Sequence, residues 1–450
     1  MPQAITTGSS CTSPLPATPP LSHPAWRFPT YILFHPTLRE RLEDSLRLHL
    51  EASVGWTTDP RHRLDLVKTF LRTEADALHR QHCRDSRLTV RLAARIAAAA
   101  VAQADHPAAS PQVRAAAVEA TETLAQTAHT AHSAQRGAQA AVYGLRGERG
   151  SKLFHGLAKP PRPATTISHL QVPGQADPIR LTAYNATSVI TAAAHAAYSS
   201  DSPTGLFRTG QVDPAAQQQL LQHARPLSPE LRVAAEGDPL TGICMEELHI
   251  ALQHSANGKA AGSDGIPYEV YKVFWAQLGP LLLAAAQTAF QQVTETSSGS
   301  EAAAALPPSW REGLISLIFK GRNLPRPVLM SYRPITLLNC DFKLVSKAIG
   351  NRLQPGLASL VDPLQTAFLQ GRDAAENVLF HQALIDWLHQ SGHPGATLFL
   401  DLEKAYDRVH RPWLYMVAEA MNFGPGILRW LRRHSQGGGQ RLLLPALCRS

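Results

Sequence analysis

LFLDLEKAYDRVHRPWL, Leu398 to Leu414, is the stretch on which the reading of this chain turns. Its apolar opening belongs to ATLFLDL (Ala396–Leu402), which follows Pro394 and Gly395 and fits a buried β-strand. A carboxylate, Asp401, stands at the end of that run. Nucleotidyl transfer needs such a placement, because two divalent ions, roughly 3.5–4 Å apart, must clamp the attacking oxygen and the leaving pyrophosphate. Hard oxygen ligands on a rigid strand suit Mg2+. An aspartate that only closes a strand and opens a turn looks the same, so the motif alone is a hypothesis.

The sequence around it has an α+β texture. GLISLIF (Gly313–Phe319) fits a second buried strand, while Phe342–Leu353 and Asp373–His389 have helical spacing. Together they imply helices around a small antiparallel sheet. Further upstream the texture changes. Residues 63–145 are dense in Ala, Arg and Gln and fit long helices with a break near His106–Pro111. Their plainest use is an extended arm or scaffold. Before them, WRFPTYILFHP (Trp26–Pro36) is a short apolar piece. A helix is expected after Pro36, with Thr37 and Glu40 as a capping box and Leu38, Leu42 and Leu46 on one face. Met1 to Ala25 is rich in Pro, Ser and Thr and fits a disordered tail. GLRGERGSKLFHGLAKPP (Gly144–Pro161) is basic and turn-forming, and the stretch from Ala285 to Pro308 runs from helix into loop. The division expected is a tail at 1–25, a mostly helical linker region at 26–240, an α+β region at 241–440 and an off-pattern end at 441–450.

Composition narrows the classes. Of 450 residues, 43 are Lys or Arg and 35 Asp or Glu, a formal charge of +8. That excess is compatible with a phosphate-bearing partner, since neutralising phosphates releases counterions. The five cysteines are scattered, without a CxxC pair, which argues against a disulfide scaffold or a zinc knuckle. His79, His82 and Cys83 form the one metal-like grouping in the sequence and lack a fourth ligand, so a structural role is expected for them. No apolar run is long enough to span a membrane, and the N-terminus lacks a secretory pattern. A reducing compartment follows, nuclear or cytoplasmic, with no secretion.

Five blocks in chain order carry a resemblance. They are NGKAAGSDGIPYEVYKVFW (Asn257–Trp275), WREGLISLIFKGRN (Trp310–Asn323), YRPITLLNCDFKLVSKAIGNRL (Tyr332–Leu353), VDPLQTAFLQGRDAAENVL (Val361–Leu379) and the Asp401–Val409 motif. The chain resembles the reverse transcriptases of non-LTR (LINE-type) retrotransposons, more weakly also through Trp26–Pro36 and Gly144–Pro161. The resemblance implies a helical linker region followed by an incomplete right-hand polymerase, fingers and partial palm, at 241–440. It implies an RNA-directed DNA polymerase working on an RNA template, a DNA primer and deoxynucleoside triphosphates with Mg2+. Asp401 would hold both metals, aided by the backbone carbonyl of Leu402. Tyr406 would block a ribose 2′-OH by clash. Lys320 and Arg333 would meet the triphosphate, as suits a point charge and a forked donor. Gln365, Gly371, Arg372 and Asn377 would lie near the template strand. Gly262, Asp264 and Gly265 would form a turn where backbone approaches nucleic acid. Simpler roles stand beside these: Lys320 solvated, Arg333 in a structural turn, Tyr406 in a core, Asp407 as a cap or ion-pair residue.

The sequence also departs from that family. No Asp-Asp dipeptide occurs, and the family's second aspartate pair, its substrate-binding glycine block and its thumb have no counterpart here. Ser263 replaces a usual proline, and the first fingers motif ends FKG. The last residues, GGGQRLLLPALCRS, do not fit the family. A fragment without polymerase activity is therefore expected, and the alternatives are a non-catalytic RNA-binding remnant or a chain that does not fold stably. A group II intron maturase would share the polymerase blocks but not the long helical linker. Primer extension on poly(rA) with Mg2+ is expected to give no incorporation that depends on Asp401. Synthesis abolished by Asp401→Ala would reverse this expectation.

Overall fold

A computed structural model of the chain describes residues 26–144, parts of 167–198, 213–237, 242–291, 306–321, 324–325, 327–402, 405 and 409–436. The expected tail, the Gly144–Pro161 turn beyond Gly144, Tyr406, Asp407 and the C-terminal off-pattern end lie outside these residues.

The chain enters through a 3-10 turn, Thr30–Leu33, that buries Tyr31, Ile32 and Leu33. Helix α1 (Pro36–Ser53) follows, and Leu38, Leu42 and Leu46 form its buried stripe as expected. Its cap differs from expectation. Pro36 is already the first helical residue, and the His35 ring accepts from the Leu38 amide. Thr37 and Glu40 thus fall inside the first turn, too late to be a capping box. Helix α2 (Pro60–Ala104) starts at Asp59, whose carboxylate accepts from the Arg61 amide at 2.9 Å. At 1.5 Å per residue its 45 residues span about 66 Å. Pro111 opens α3 (Pro111–Gly144), which doubles back along α2 after the predicted break.

A small ribbon, β1 (His169–Leu170) with β2 (Ile179–Arg180), precedes α4 (Ala186–Tyr198). Three short helices follow, α5 (Pro214–Leu221), α6 (Pro229–Glu236) and α7 (Met245–Gln253). Then come α8 (Tyr268–Val273), α9 (Trp275–Gln291), the antiparallel hairpin β3 (Gly313–Phe319) and β4 (Tyr332–Leu338), and α10 (Cys340–Leu360). The chain closes with α11 (Ala374–Ser391), α12 (Arg411–Ala420) and α13 (Pro425–Gln436).

One hydrophobic cluster runs from Phe28 through α1 and the first half of α2 to α7, α8, α9, α10 and Trp430. It has members on both sides of residue 240, so the upstream helices share a core with the polymerase-like blocks. Trp430 stacks on Phe290 at 4.9 Å, and Glu236 receives the amides of Gly426 and Ile427 at the start of α13. A second cluster lies elsewhere. Ile167, Leu170, Leu181, Val189, Ile190 and Ala193 back the inner face of β3 and β4 through Leu317, Phe319, Leu329 and Tyr332.

At the centre of the main core sits Lys68, 5% exposed, on α2. Its ammonium lies 2.8 Å from Asp264, 2.7 Å from Asp341 and 2.8 Å from the Ser309 hydroxyl. Asp341 also accepts from the Trp310 indole N–H at 3.0 Å and from the Phe342 amide at 2.8 Å. Burial alone would lower the Lys68 pKa, but the two carboxylates outweigh it and raise it, so the side chain stays charged.

The expected strand at Ala396–Leu402 is corrected by the structure. That segment has no assigned secondary structure and no strand partner among the described residues, and Leu398, Phe399, Leu400 and Leu402 are each more than three-quarters exposed. A strand is defined by its ladder, and among the described residues no neighbour supplies one.

Two outcomes follow for stability. Lys68→Met should lower the free energy of urea unfolding by about 3–5 kcal/mol by stranding two buried carboxylates, and Asp264→Asn in the same chain should restore part of it. Glu247 gives the second. It pairs with Arg352 at 2.6 Å, across from α7 to α10. Burial pushes its carboxyl up, yet hydrogen bonds from Arg352 and the Cys244 amide prevail and hold it below its ordinary value of 4.5. A lowered carboxylate pKa stabilises above the unfolded value and loses that contribution as pH falls through the folded one. Melting temperatures should therefore separate wild type from Glu247→Gln at neutral pH and converge as pH drops below 4.5.

Candidate nucleotide and nucleic-acid site

The β3–β4 register brings two of the predicted residues together. Ile318 pairs with Arg333 and Phe319 with Tyr332, and the Lys320 amide donates to Ser331 at 3.0 Å. Residues directly opposite, and those two apart along a strand, share a face. Ile318, Lys320 and Arg333 therefore lie on one face, and all three are exposed. The opposite face carries Leu317, Phe319 and Tyr332 onto the second cluster. This division of faces favours the register, because a one-residue slip of either strand would turn its own cation onto the apolar cluster.

The next block forms a loop between α10 and α11, held by two polar side chains. Arg372 donates one nitrogen to the carbonyls of Asp362 and Gln365 at 2.6 and 2.8 Å. Its other nitrogen reaches the carbonyls of Val361 and Ala358 at 3.1 and 3.2 Å. These are the orphan acceptors at the end of α10 and of the turn after it. Asn377 donates to the Leu364 carbonyl at 3.1 Å and the Thr366 hydroxyl at 3.0 Å. Gln365 is exposed and contributes its backbone. The tip turns through Phe368 and Gly371, both at positive φ, and Phe368 is 81% exposed. Arg372 and Asn377 are thus occupied in shaping the loop, and Phe368 is what the loop presents to solvent.

The Gly262–Gly265 turn has a protein neighbour where nucleic acid was expected. A Cβ on Gly262 would sit 2.2 Å from the Asn339 side chain, and one on Gly265 (φ +72°) 2.2 Å from the Trp26 carbonyl. Gly265 accepts from the Phe28 amide at 3.0 Å, and Asn339 accepts from the Asp264 amide at 3.2 Å. Asp264 itself is spent on Lys68 and the Ile266 amide. Burial raises its pKa, opposed by Lys68.

Asp401 belongs to the segment that follows α11. It is exposed, and among the described residues it makes no hydrogen bond or ion pair. Its segment is steadied by Phe399 against the His381 ring at 5.3 Å and by the Gly395 backbone against Leu388 on α11. Leu402 is equally exposed, and Tyr406 lies outside the described residues. The His79, His82 and Cys83 grouping is packed around Tyr31, whose hydroxyl lies 2.8 Å from His79 Nδ1.

Sequence reasoning missed Lys68, Ser309 and Asn339, which organise the back of the site, and the 167–193 segment that supports the hairpin. A lysine at a position of the buried α2 stripe, between Leu64 and Leu71, was the available signal.

Residues 322–443 match the family model described as reverse transcriptase (RNA-dependent DNA polymerase). Arg333, Gln365, Gly371, Arg372, Asn377 and Asp401 fall inside that match, and Lys320 and the Gly262–Gly265 turn fall before it. A protein of Xenopus laevis, the transposon TX1 uncharacterized 149 kDa protein, is 32% identical over 228 residues. That alignment takes in 50% of this chain and 16% of the relative, so the chain spans a small part of that protein's length. Enzymes of the matched family generally use divalent metals. Among the described residues no cluster of three or more His, Cys, Asp or Glu could hold a metal. Asp401 stands there alone, and one carboxylate does not fix two ions.

Arg372→Ala should loosen the loop. Amide exchange at Gln365 and Arg372 should quicken by about tenfold or more as charge-assisted bonds to four carbonyls are lost. Arg372→Lys should rescue little of it, because one ammonium cannot span the fork. Unchanged exchange in Arg372→Ala would show that the loop does not depend on it.

Proposed function

From a chain that carries a reverse-transcriptase segment at residues 322–443, we propose that it supplies the fingers and the first metal-binding carboxylate of an RNA-directed DNA polymerase of the non-LTR retrotransposon kind. The observation that carries the proposal is the shared exposed face of Lys320 and Arg333 on the β3–β4 hairpin. Two cations there, on a ribbon backed by an apolar cluster, form a preorganised receptor for the triphosphate of an incoming nucleotide. The guanidinium of Arg333 can take two phosphate oxygens at once, and Lys320 adds a point charge beside it.

Within this reading the other residues divide by task. Phe368 and Gly371 offer a ring and an open backbone at the tip of a braced loop, a surface on which a template base can stack. Gln365, Arg372 and Asn377 keep that loop in shape. Gly262, Asp264 and Gly265 act from behind, tying the fingers to α2. Asp401, with the Leu402 carbonyl, would be one of the ligands that Mg2+ needs, and the ion would supply charge stabilisation at the transferred phosphate. Tyr406 is the ring that excludes a ribose 2′-OH. RNA template, DNA primer and deoxynucleoside triphosphates are the substrates.

The test is nucleotide binding, followed by anisotropy of a fluorescent dTTP with the chain and an annealed RNA–DNA primer-template. Arg333→Ala should weaken binding by about tenfold, the loss expected for one charge-assisted contact, and Arg333→Lys should recover only part. Lys320→Ala should weaken it to a similar degree. Affinity indifferent to both substitutions would remove the hairpin from the site.

A further inference from the structure

Helix α2 continues well past the core. Beyond Leu78 its side chains are mostly exposed, with Ala97 buried where α3 packs alongside. Arg80, Arg84, Arg87, Arg91 and Arg95 fall in this half, and all five are exposed. At 100° per residue they share an arc of about 80°, running about 22 Å along the axis. Ala75 and Ala97, buried on the other side, lie more than about 100° from the centre of that arc. Asp85 is the one acid between Ala77 and Ala104, and it falls off the stripe. Arg80 pairs with Asp76 at 2.5 Å. Arg84, Arg87, Arg91 and Arg95 make no ion pair or hydrogen bond among the described residues.

We propose that this arginine stripe on the distal half of α2 is a second nucleic-acid contact, one that grips the phosphate backbone of RNA outside the polymerase fingers. Four arginines repeated every three or four residues have Cβ atoms about 5–6 Å apart, so that their long side chains can reach successive phosphates along one strand. Each can fork onto two phosphate oxygens. Mutual repulsion of these cations is unfavourable for the free helix, and a polyanion relieves it. A lipid surface fits less well. The stretch from Ala77 to Ala104 has no Trp or Phe to anchor an interfacial helix, although Leu88, Leu92 and Ile96 are exposed beside the stripe. The stripe is also rigidly placed, because Lys68, twelve residues before Arg80, locks the same helix to Asp264 and Asp341. RNA held on the arm would therefore sit at a fixed distance from the fingers, about 18–40 Å along α2 from that lock. The identity of the polyanion as RNA rests on the polymerase reading above; the phosphate contact itself does not.

The experiment uses the full chain and a fluorescein-labelled 30-nucleotide single-stranded RNA, titrated between 50 and 300 mM salt. Replacing Arg84, Arg87, Arg91 and Arg95 together by Gln should weaken binding at least tenfold near 100 mM salt. The slope of log K against log salt should flatten by about 3, at about 0.7 per phosphate contact. The four-Lys variant should keep most of the slope, and circular dichroism should show α2 helical in both. Unchanged affinity and slope in the Gln variant would overturn the proposal. So would a wild-type chain that binds phosphatidylserine vesicles as tightly as the RNA, which would make the stripe a membrane contact. The nucleotide titration with Arg333→Ala reports on the fingers separately, so loss of the arm proposal leaves that reading intact, and the reverse holds as well.

Discussion

A buried ammonium answered by two carboxylates is the constraint on which this fold depends. Lys68 comes from the helical region, Asp264 from the opening turn of the polymerase-like blocks and Asp341 from the first turn of α10. An ion taken out of water costs several kcal/mol unless its partners are in place. The three elements therefore stabilise one another only when all are assembled. Trp310, Phe342 and Ile266 supply the remaining donors to the two carboxylates, and the Ser309 hydroxyl accepts a further hydrogen bond from Lys68. Specificity of docking is what such a network gives; an apolar core of the same volume would hold α2 with less control over its register.

The consequence for the site is a division between support and display. Residues that a sequence motif would assign to contact with nucleic acid turn out to be internal ties. Arg372 closes the end of α10, Asn377 pins the loop after it, and Asp264 belongs to the Lys68 cluster. What they display is a neighbouring residue, Phe368 at the loop tip, and the two cations of the hairpin face. Strong polar side chains in a short motif can be fixed by the loop's own carbonyls as readily as by a substrate.

Much of this was legible beforehand. Gly313–Phe319 is a short, nearly continuous apolar run of the length of a buried strand, and the 3.6-residue spacing of α1, α10 and α11 is plain. The Pro-containing break between α2 and α3 announces itself by composition. Segments whose structure depends on distant partners were not legible. ATLFLDL has the composition of a strand, but a ladder needs a neighbour, and periodicity within one segment cannot supply it. His35 caps α1 because Pro36 begins the helix two residues earlier than the Thr37–Glu40 signature suggests. Lys68 falls on the stripe of Leu64 and Leu71, a signal that it points inward, but only the fold reveals the two carboxylates that meet it.

From Ala367 to Val417 no described residue is buried, although this excursion carries Phe368, Leu379, Phe380, Trp387 and the Leu398–Leu402 run. A polypeptide with that much uncovered grease beside an unpaired backbone is a template for clumping. Apolar surface left open to water on this scale favours association with another apolar surface.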